Sequence, residues 1–78
     1  MARLRLFASA REAAGATCVE LEGVTVGEVL EAAVAKFGSR FERILETSSV
    51  WLNGEEASPD MQVGAEDEVA VLPPVSGG

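Results

Sequence analysis

The sequence predicts an α+β roll in which one mixed sheet packs against a single main helix. Three observations carry that expectation. Apolar and polar residues alternate near both ends of the chain, a capped amphipathic helix opens at Thr25, and an Asn-Gly turn pair follows a short apolar run at Val50-Trp51-Leu52.

Residues 2–8 alternate, with Leu4, Leu6 and Ala8 on one face and Arg3, Arg5 and Phe7 on the other, which predicts a strand. Phe7 is the odd member, an aromatic on the polar face. Residues 9–14 predict a brief helical turn, capped by Ser9 and stopped by Gly15. Residues 17–21 alternate again, Val19 and Leu21 opposing Cys18 and Glu20, and the short connection predicts antiparallel pairing with the first strand.

Thr25 caps the main helix, and Glu28, three residues on, is placed to return to the Thr25 N–H in a capping box. Val26, Val29, Leu30, Ala33, Val34 and Phe37 fall on one stripe, leaving Glu28, Glu31, Ala32, Ala35 and Lys36 outside. Gly38 supplies the stop. A second short helix is expected over residues 40–46, packing Phe41, Ile44 and Leu45 under the sheet. Residues 50–52 form a strand ending at Asn53-Gly54, whose residues accept positive φ. Residues 55–65 read as a polar, turn-rich loop, broken by Ser58-Pro59-Asp60 and Gly64 and pinned by Met61 and Val63. In the last strand Val69 and Val71 face inward, and Ala70 and Leu72 face outward. With the first and last strands adjacent and parallel at the centre of the sheet, this order is that of a β-grasp roll. Residues 1–72 form its domain and residues 73–78 a flexible tail.

At 78 residues the chain makes one small domain. Its 13 acidic and 6 basic residues leave a net charge of −7, which repels nucleic-acid phosphates and anionic membranes and favours a basic protein partner. Histidine is absent and Cys18 is the one cysteine, so neither a disulfide, a metal-ligand set nor His-based acid–base chemistry has its materials. The chain is therefore not expected to be an enzyme alone. With no leader or long apolar span, the expected location is cytoplasmic. Lys36 is the single lysine, so chain-building through the protein's own amines has little support. The acidic group Glu55, Glu56, Asp60, Glu66, Asp67 and Glu68 reads mostly as a solvated loop surface, and Cys18 as a small residue off the core.

The chemistry points to the end of the chain, Pro73-Pro74-Val75-Ser76-Gly77-Gly78. Two prolines fix φ and remove two N–H donors, so the arm leaves the sheet without rejoining the ladder. Gly77 and Gly78 have no Cβ, so this stretch fits a channel too narrow for other residues and leaves the final carboxylate accessible. Phe7, Trp51, Ala70 and Leu72 are expected to share the sheet face turned away from the helix. They form an apolar patch at the root of this arm, the kind of surface a partner protein covers.

These residues resemble the MoaD/ThiS ubiquitin-like sulfur carriers, and most closely the small subunit of molybdopterin synthase. The resemblance runs from Leu6-Phe7-Ala8, Arg11-Glu12 and Gly15, through Thr25-Val26 and Val50-Trp51-Leu52-Asn53-Gly54, to its most specific part, residues 67–78. It implies that an E1-like enzyme uses ATP to adenylate the Gly78 carboxylate. A sulfur donor of the cysteine desulfurase or rhodanese type then converts it to a thiocarboxylate, with no permanently bound cofactor. It further implies a large synthase subunit, expected to assemble with this chain as a heterotetramer, which takes the sulfur to build the molybdopterin dithiolene. By position, Gly78 carries the sulfur, Gly77 and Ser76 thread the partner's channel, and Phe7, Trp51, Leu72, Pro73, Pro74 and Val75 meet the partner. Trp51 is bulkier than the residue expected in molybdopterin-type carriers, and Asn53-Gly54-Glu55 has the character of the thiamine-pathway carriers, whereas Pro73-Pro74 favours the molybdopterin side. Delivery to thiamine thiazole, cysteine or tRNA thiolation, protein modification through isopeptide bonds, and an interaction module with an inert tail stand as alternatives.

Overall fold

The computed structural model describes residues 1–74, so the expectations placed on Val75, Ser76, Gly77 and Gly78 lie outside the described residues. The elements run β1 (Ala2–Leu6), α1 (Ala8–Ala14), β2 (Cys18–Leu21), α2 (Val26–Phe37), α3 (Ser39–Glu46), β3 (Ser49–Leu52), β4 (Glu55–Glu56) and β5 (Glu68–Leu72). The strands lie in one sheet in the order β2-β1-β5-β3-β4. β5 runs parallel to β1 and antiparallel to β3, and both outer pairs are antiparallel. This is the mixed sheet of a β-grasp roll, with the last strand at its centre.

Alternation decides which side of each strand is buried. Ala2, Leu4 and Leu6 of β1 and Val69 and Val71 of β5 are buried, while Arg3, Arg5 and Leu72 are exposed and Ala70 half-buried. Val26, Val29 and Ala33 of α2, Phe41 of α3 and Ala10 of α1 close the core against that inner face. Phe37 packs on Phe41 with ring centroids 5.3 Å apart. Leu30, Val34, Ile44 and Leu45 remain half-buried at the margin of the helical layer.

β1 ends at Leu6, two residues before the expected limit. Ala8 takes a φ of +51° and opens α1, exposed instead of inward. The turn is held by the backbone: the Phe7 carbonyl accepts from the N–H groups of Ala10 (3.1 Å) and Arg11 (3.3 Å). Phe7, not Ser9, therefore occupies the cap position, with no side-chain bond. Gly15 closes α1 as expected, at φ +71° and with its N–H donating to the Arg11 carbonyl.

At α2 the Thr25 hydroxyl accepts from the Glu28 N–H at 3.2 Å. The returning half of the box is displaced by one residue, the Glu28 carboxylate accepting from the Val24 N–H at 2.9 Å. The loop after β4 is laced to this end of α2, with Val26 N–H donating to Met61, Gly27 N–H to Pro59, and Val63 N–H to Val24. A Cβ on Gly27 would lie 3.1 Å from the Pro59 carbonyl, so a residue without a side chain lets the loop approach. Val63, 9% exposed, pins the loop from the side-chain side; Met61, at 41%, does not.

Residues 55–56 pair as β4 instead of lying in a loop. Asn53 (φ +51°) and Gly54 (φ +86°) form a two-residue turn with both central φ values positive, which suits the twist of a hairpin. Asn53 also fastens this hairpin to the start of β5. Its side-chain NH2 donates to Asp67 at 3.0 Å, its carbonyl oxygen accepts from the Glu68 N–H at 2.9 Å, and its own N–H donates to the Glu68 carbonyl at 2.9 Å. Asp67 accepts a further bond from the Gly64 N–H at 2.8 Å. Among the described residues no helix is long and apolar enough to cross a membrane.

Two predictions follow from this packing. Phe41→Ala is expected to cost about 3–5 kcal/mol in urea unfolding, because the ring is fully enclosed; a cost like that of a surface substitution would refute its place in the core. The bond from Asn53, then that from Gly64, holds the Asp67 carboxyl below its ordinary pKa against a small opposing effect of desolvation. A carboxylate depressed on folding adds stability that is complete above its unfolded value, about 3.9, and is lost as pH falls through its lower folded value. Melting temperatures of Asp67→Ala should therefore lie below those of the parent at neutral pH, and the gap should narrow in acid. A gap that persists unchanged to the acid limit would show that the charge of Asp67 is not what stabilises the loop.

Candidate functional site: the outer sheet face at the end of β5

The helices cover one face of the sheet and leave the other open. On that open face the register aligns Cys18, Arg5, Ala70, Trp51 and Glu56 in one row across all five strands. Ser49 and Leu72 are paired in the row nearer the chain's end, and Arg3, Glu20 and Glu68 in the row behind. Because Leu6 pairs with Val71, Phe7 and Leu72 are the next residues along the two central chains. Phe7 is 39% exposed and Leu72 37%, while Trp51 and Ala70 are half-buried. Of the four residues expected to form an apolar patch on three strands, Trp51 stands on β3 and Ala70 and Leu72 on β5, beside the point where the chain leaves the sheet. Phe7 lies one residue beyond β1, as the cap of α1, because the chain turns into that helix.

Arg5 organises the charge beside this strip. Its guanidinium lies 5.9 Å from the centroid of the Phe7 ring and 3.7 Å from the Glu68 carboxylate, which also receives Arg3 at 4.0 Å. Such partly exposed contacts are worth about 0–1 kcal/mol each in stability, so they add little to the fold, and Glu68 offsets part of the arginine charge. Glu56 stands opposite Trp51 and supplies an acidic margin. Glu56, expected in a solvated loop, lies opposite Trp51 only because residues 55–56 pair as β4, which two glutamates do not announce. Cys18 is exposed and sits opposite Arg5, a neighbour thirteen positions away in the chain.

Pro73 and Pro74 follow β5 outside any strand, the first half-buried and the second exposed. β5 is hydrogen-bonded along both sides, so the chain departs from the central strand of the sheet. Among the described residues no group of His, Cys, Asp or Glu could hold a metal ion.

The ThiS family model matches residues 4–78. Small archaeal modifier protein 1 of Haloferax volcanii is 34% identical over 84 aligned positions, covering 95% of this chain and 97% of the relative. Its crystal structure superposes with a TM-score of 0.82 at 34% identity, covering 99% of this chain and 98% of that one. A Pyrococcus furiosus protein designated molybdopterin converting factor, subunit 1, superposes at 0.78 with 26% identity, covering 95% and 97%. The sheet order, the carboxyl-terminal stretch and these matches agree: the chain belongs to the ThiS family of ubiquitin-like, β-grasp sulfur carriers and modifiers.

Proposed function

We propose that this protein carries sulfur as a thiocarboxylate on Gly78 and supplies it to the molybdopterin dithiolene as the small subunit of a synthase. The observation that carries this reading is the position of β5, a doubly paired central strand with the Phe7, Trp51 and Leu72 strip at its exit. A partner that grips this strip sets the origin of the following residues, so Ser76 and Gly77 can thread a narrow channel while Gly78 reaches the reacting atoms.

An E1-like enzyme would join the Gly78 carboxylate to the α-phosphate of ATP, releasing pyrophosphate. The resulting acyl adenylate has AMP as a good leaving group. The terminal sulfur of a persulfide on a desulfurase or rhodanese-type donor attacks the acyl carbon, and AMP leaves. A thiol reductant then cleaves the acyl disulfide, leaving the thiocarboxylate on Gly78 and the thiol oxidised to a disulfide. This chain contributes reach and docking through Phe7, Trp51, Leu72, Pro73, Pro74 and Val75; catalytic side chains belong to the partners. Likeness to the Pyrococcus furiosus protein and the Pro73-Pro74 pair support molybdopterin as the destination.

A second reading is favoured by the 34% identical relative, whose name is that of a modifier. The same Gly78 adenylate, met by a lysine amine instead of sulfur, would give an isopeptide bond. Both uses share activation and part at the acceptor.

Intact-mass spectrometry after incubation with ATP, an active E1-like enzyme and a sulfur donor is expected to show oxygen-for-sulfur exchange on the carboxyl-terminal fragment. Reaction of that fragment with a thiol probe separates it from oxidation of Met1, Met61 or Trp51, and deletion of Gly78 should abolish it. Gly-Gly remnants on lysines of other proteins, with no exchange at Gly78, would favour the modifier instead. Leu72→Glu, made at an exposed site, is expected to leave the melting temperature within a few degrees yet weaken binding to the activating enzyme or synthase subunit about tenfold or more. Unchanged affinity would remove the outer strip from the docking surface.

A further inference from the structure

The opposite side of the molecule carries a second surface that the sulfur-carrier reading leaves unused. Between α2 and α3 lies a groove of about 340 Å³, lined by Leu30, Glu31 and Val34 from one helix and Glu42, Leu45 and Glu46 from the other. Helical spacing arranges the chemistry. Leu30 and Val34, four residues apart, line the α2 wall, and Leu45 faces them from α3. Glu42 and Glu46 are also four apart and edge the α3 side, with Glu31 on the α2 side. Among the described residues no basic side chain lines the groove. Among the described residues none of these three carboxylates makes an ion pair, the ion pairs there being those of Arg3 and Arg5 with Glu68.

We propose that this groove docks a basic amphipathic helix of a partner protein. An apolar floor between two helices suits aliphatic side chains presented at helical spacing, and acidic margins on both walls suit lysines or arginines flanking them. The charge complementarity selects the occupant. An acidic or neutral helix would leave three carboxylates facing it without compensation, and a second copy of this chain brings a net charge of −7. The groove belongs to the helical layer, so its occupant leaves the outer sheet face free. A protein engaged there can bind while the strip of Phe7, Trp51 and Leu72 is held by another. The inference is independent of whether Gly78 carries sulfur.

The test uses the full chain, isotope-labelled for NMR, and an acetylated and amidated helical peptide of about fourteen residues. Leucines at its first, fourth, eighth and eleventh positions and lysines between them make it amphipathic; a scrambled peptide of equal composition is the control. Amide shifts are expected to concentrate on α2 and α3, and the scrambled peptide to bind about tenfold more weakly. The double variant Glu42→Lys, Glu46→Lys should weaken the amphipathic peptide about tenfold, whereas Glu22→Lys, Glu66→Lys, exposed positions away from the groove with the same change in net charge, should alter it less than about twofold. Equal weakening by the two variants, equal binding of the two peptides, or shifts spread over the acidic loop would overturn the proposal. So would sedimentation showing a dimer of the chain that the first double variant disrupts.

Discussion

The pairing of β5 with β1 on one side and β3 on the other is the constraint from which the rest of the structure follows. The parallel β1–β5 ladder requires everything between them to cross over, and α2 does so against the face where Leu4, Val69 and Val71 are buried. Side chains alternate with a period of two, so the register that sends Val69 and Val71 inward also sends Ala70 and Leu72 outward. A slip by one residue would expose the valines and bury Glu68. The core and the outward placement of Trp51, Ala70 and Leu72 are therefore specified by the same ladders.

Much of this was legible because the signals are local. Period-two alternation identified β1, β2 and β5 and their inward faces, and Thr25 with Gly38 bounded α2. Phe41, Ile44 and Leu45 announced α3, within one residue at its start. The pairing of first and last strands, and hence the shared face of Trp51, Ala70 and Leu72, followed from the order of elements, whereas Phe7, expected on that face of β1, caps α1 just beyond the strand. The expectations that failed depended on backbone torsion or distant partners. Ala8 continues the alternation of β1, but its positive φ ends the strand, and nothing in an alanine signals that conformation. β4 is two glutamates with no apolar pattern, a strand because the Asn53-Gly54 turn folds it back.

Asp67 shows the same limit in electrostatic form. It stood among six acidic residues that read as solvated surface, yet its carboxylate joins the hairpin turn to the loop before β5. Asn53 was recognisable as a turn residue; that its carboxamide would meet residues fourteen and fifteen positions away was not. The groove between α2 and α3 was hidden for a related reason. Leu30, Val34 and Leu45 were all expected in the core, and the structure leaves them half-buried because the two helices do not close over them.

Charge is distributed so that the two surfaces work by different physics. On the outer sheet face Arg3 and Arg5 are met by Glu68, leaving a nearly compensated margin around an apolar strip. In the docking proposed above, affinity comes from burying Phe7, Trp51 and Leu72, and salt affects it little. The excess negative charge lies elsewhere, partly along the α2–α3 groove, where the carboxylates have no cation of their own among the described residues. A chain with no buried polar or charged side chain among the described residues has no use for those charges in its core. Their effect is outward, acting on whatever approaches: they raise the encounter rate of basic partners and discourage association with a second copy. Separating the apolar strip from the acidic groove lets a very small domain present two unlike surfaces without either weakening the sheet that supports both.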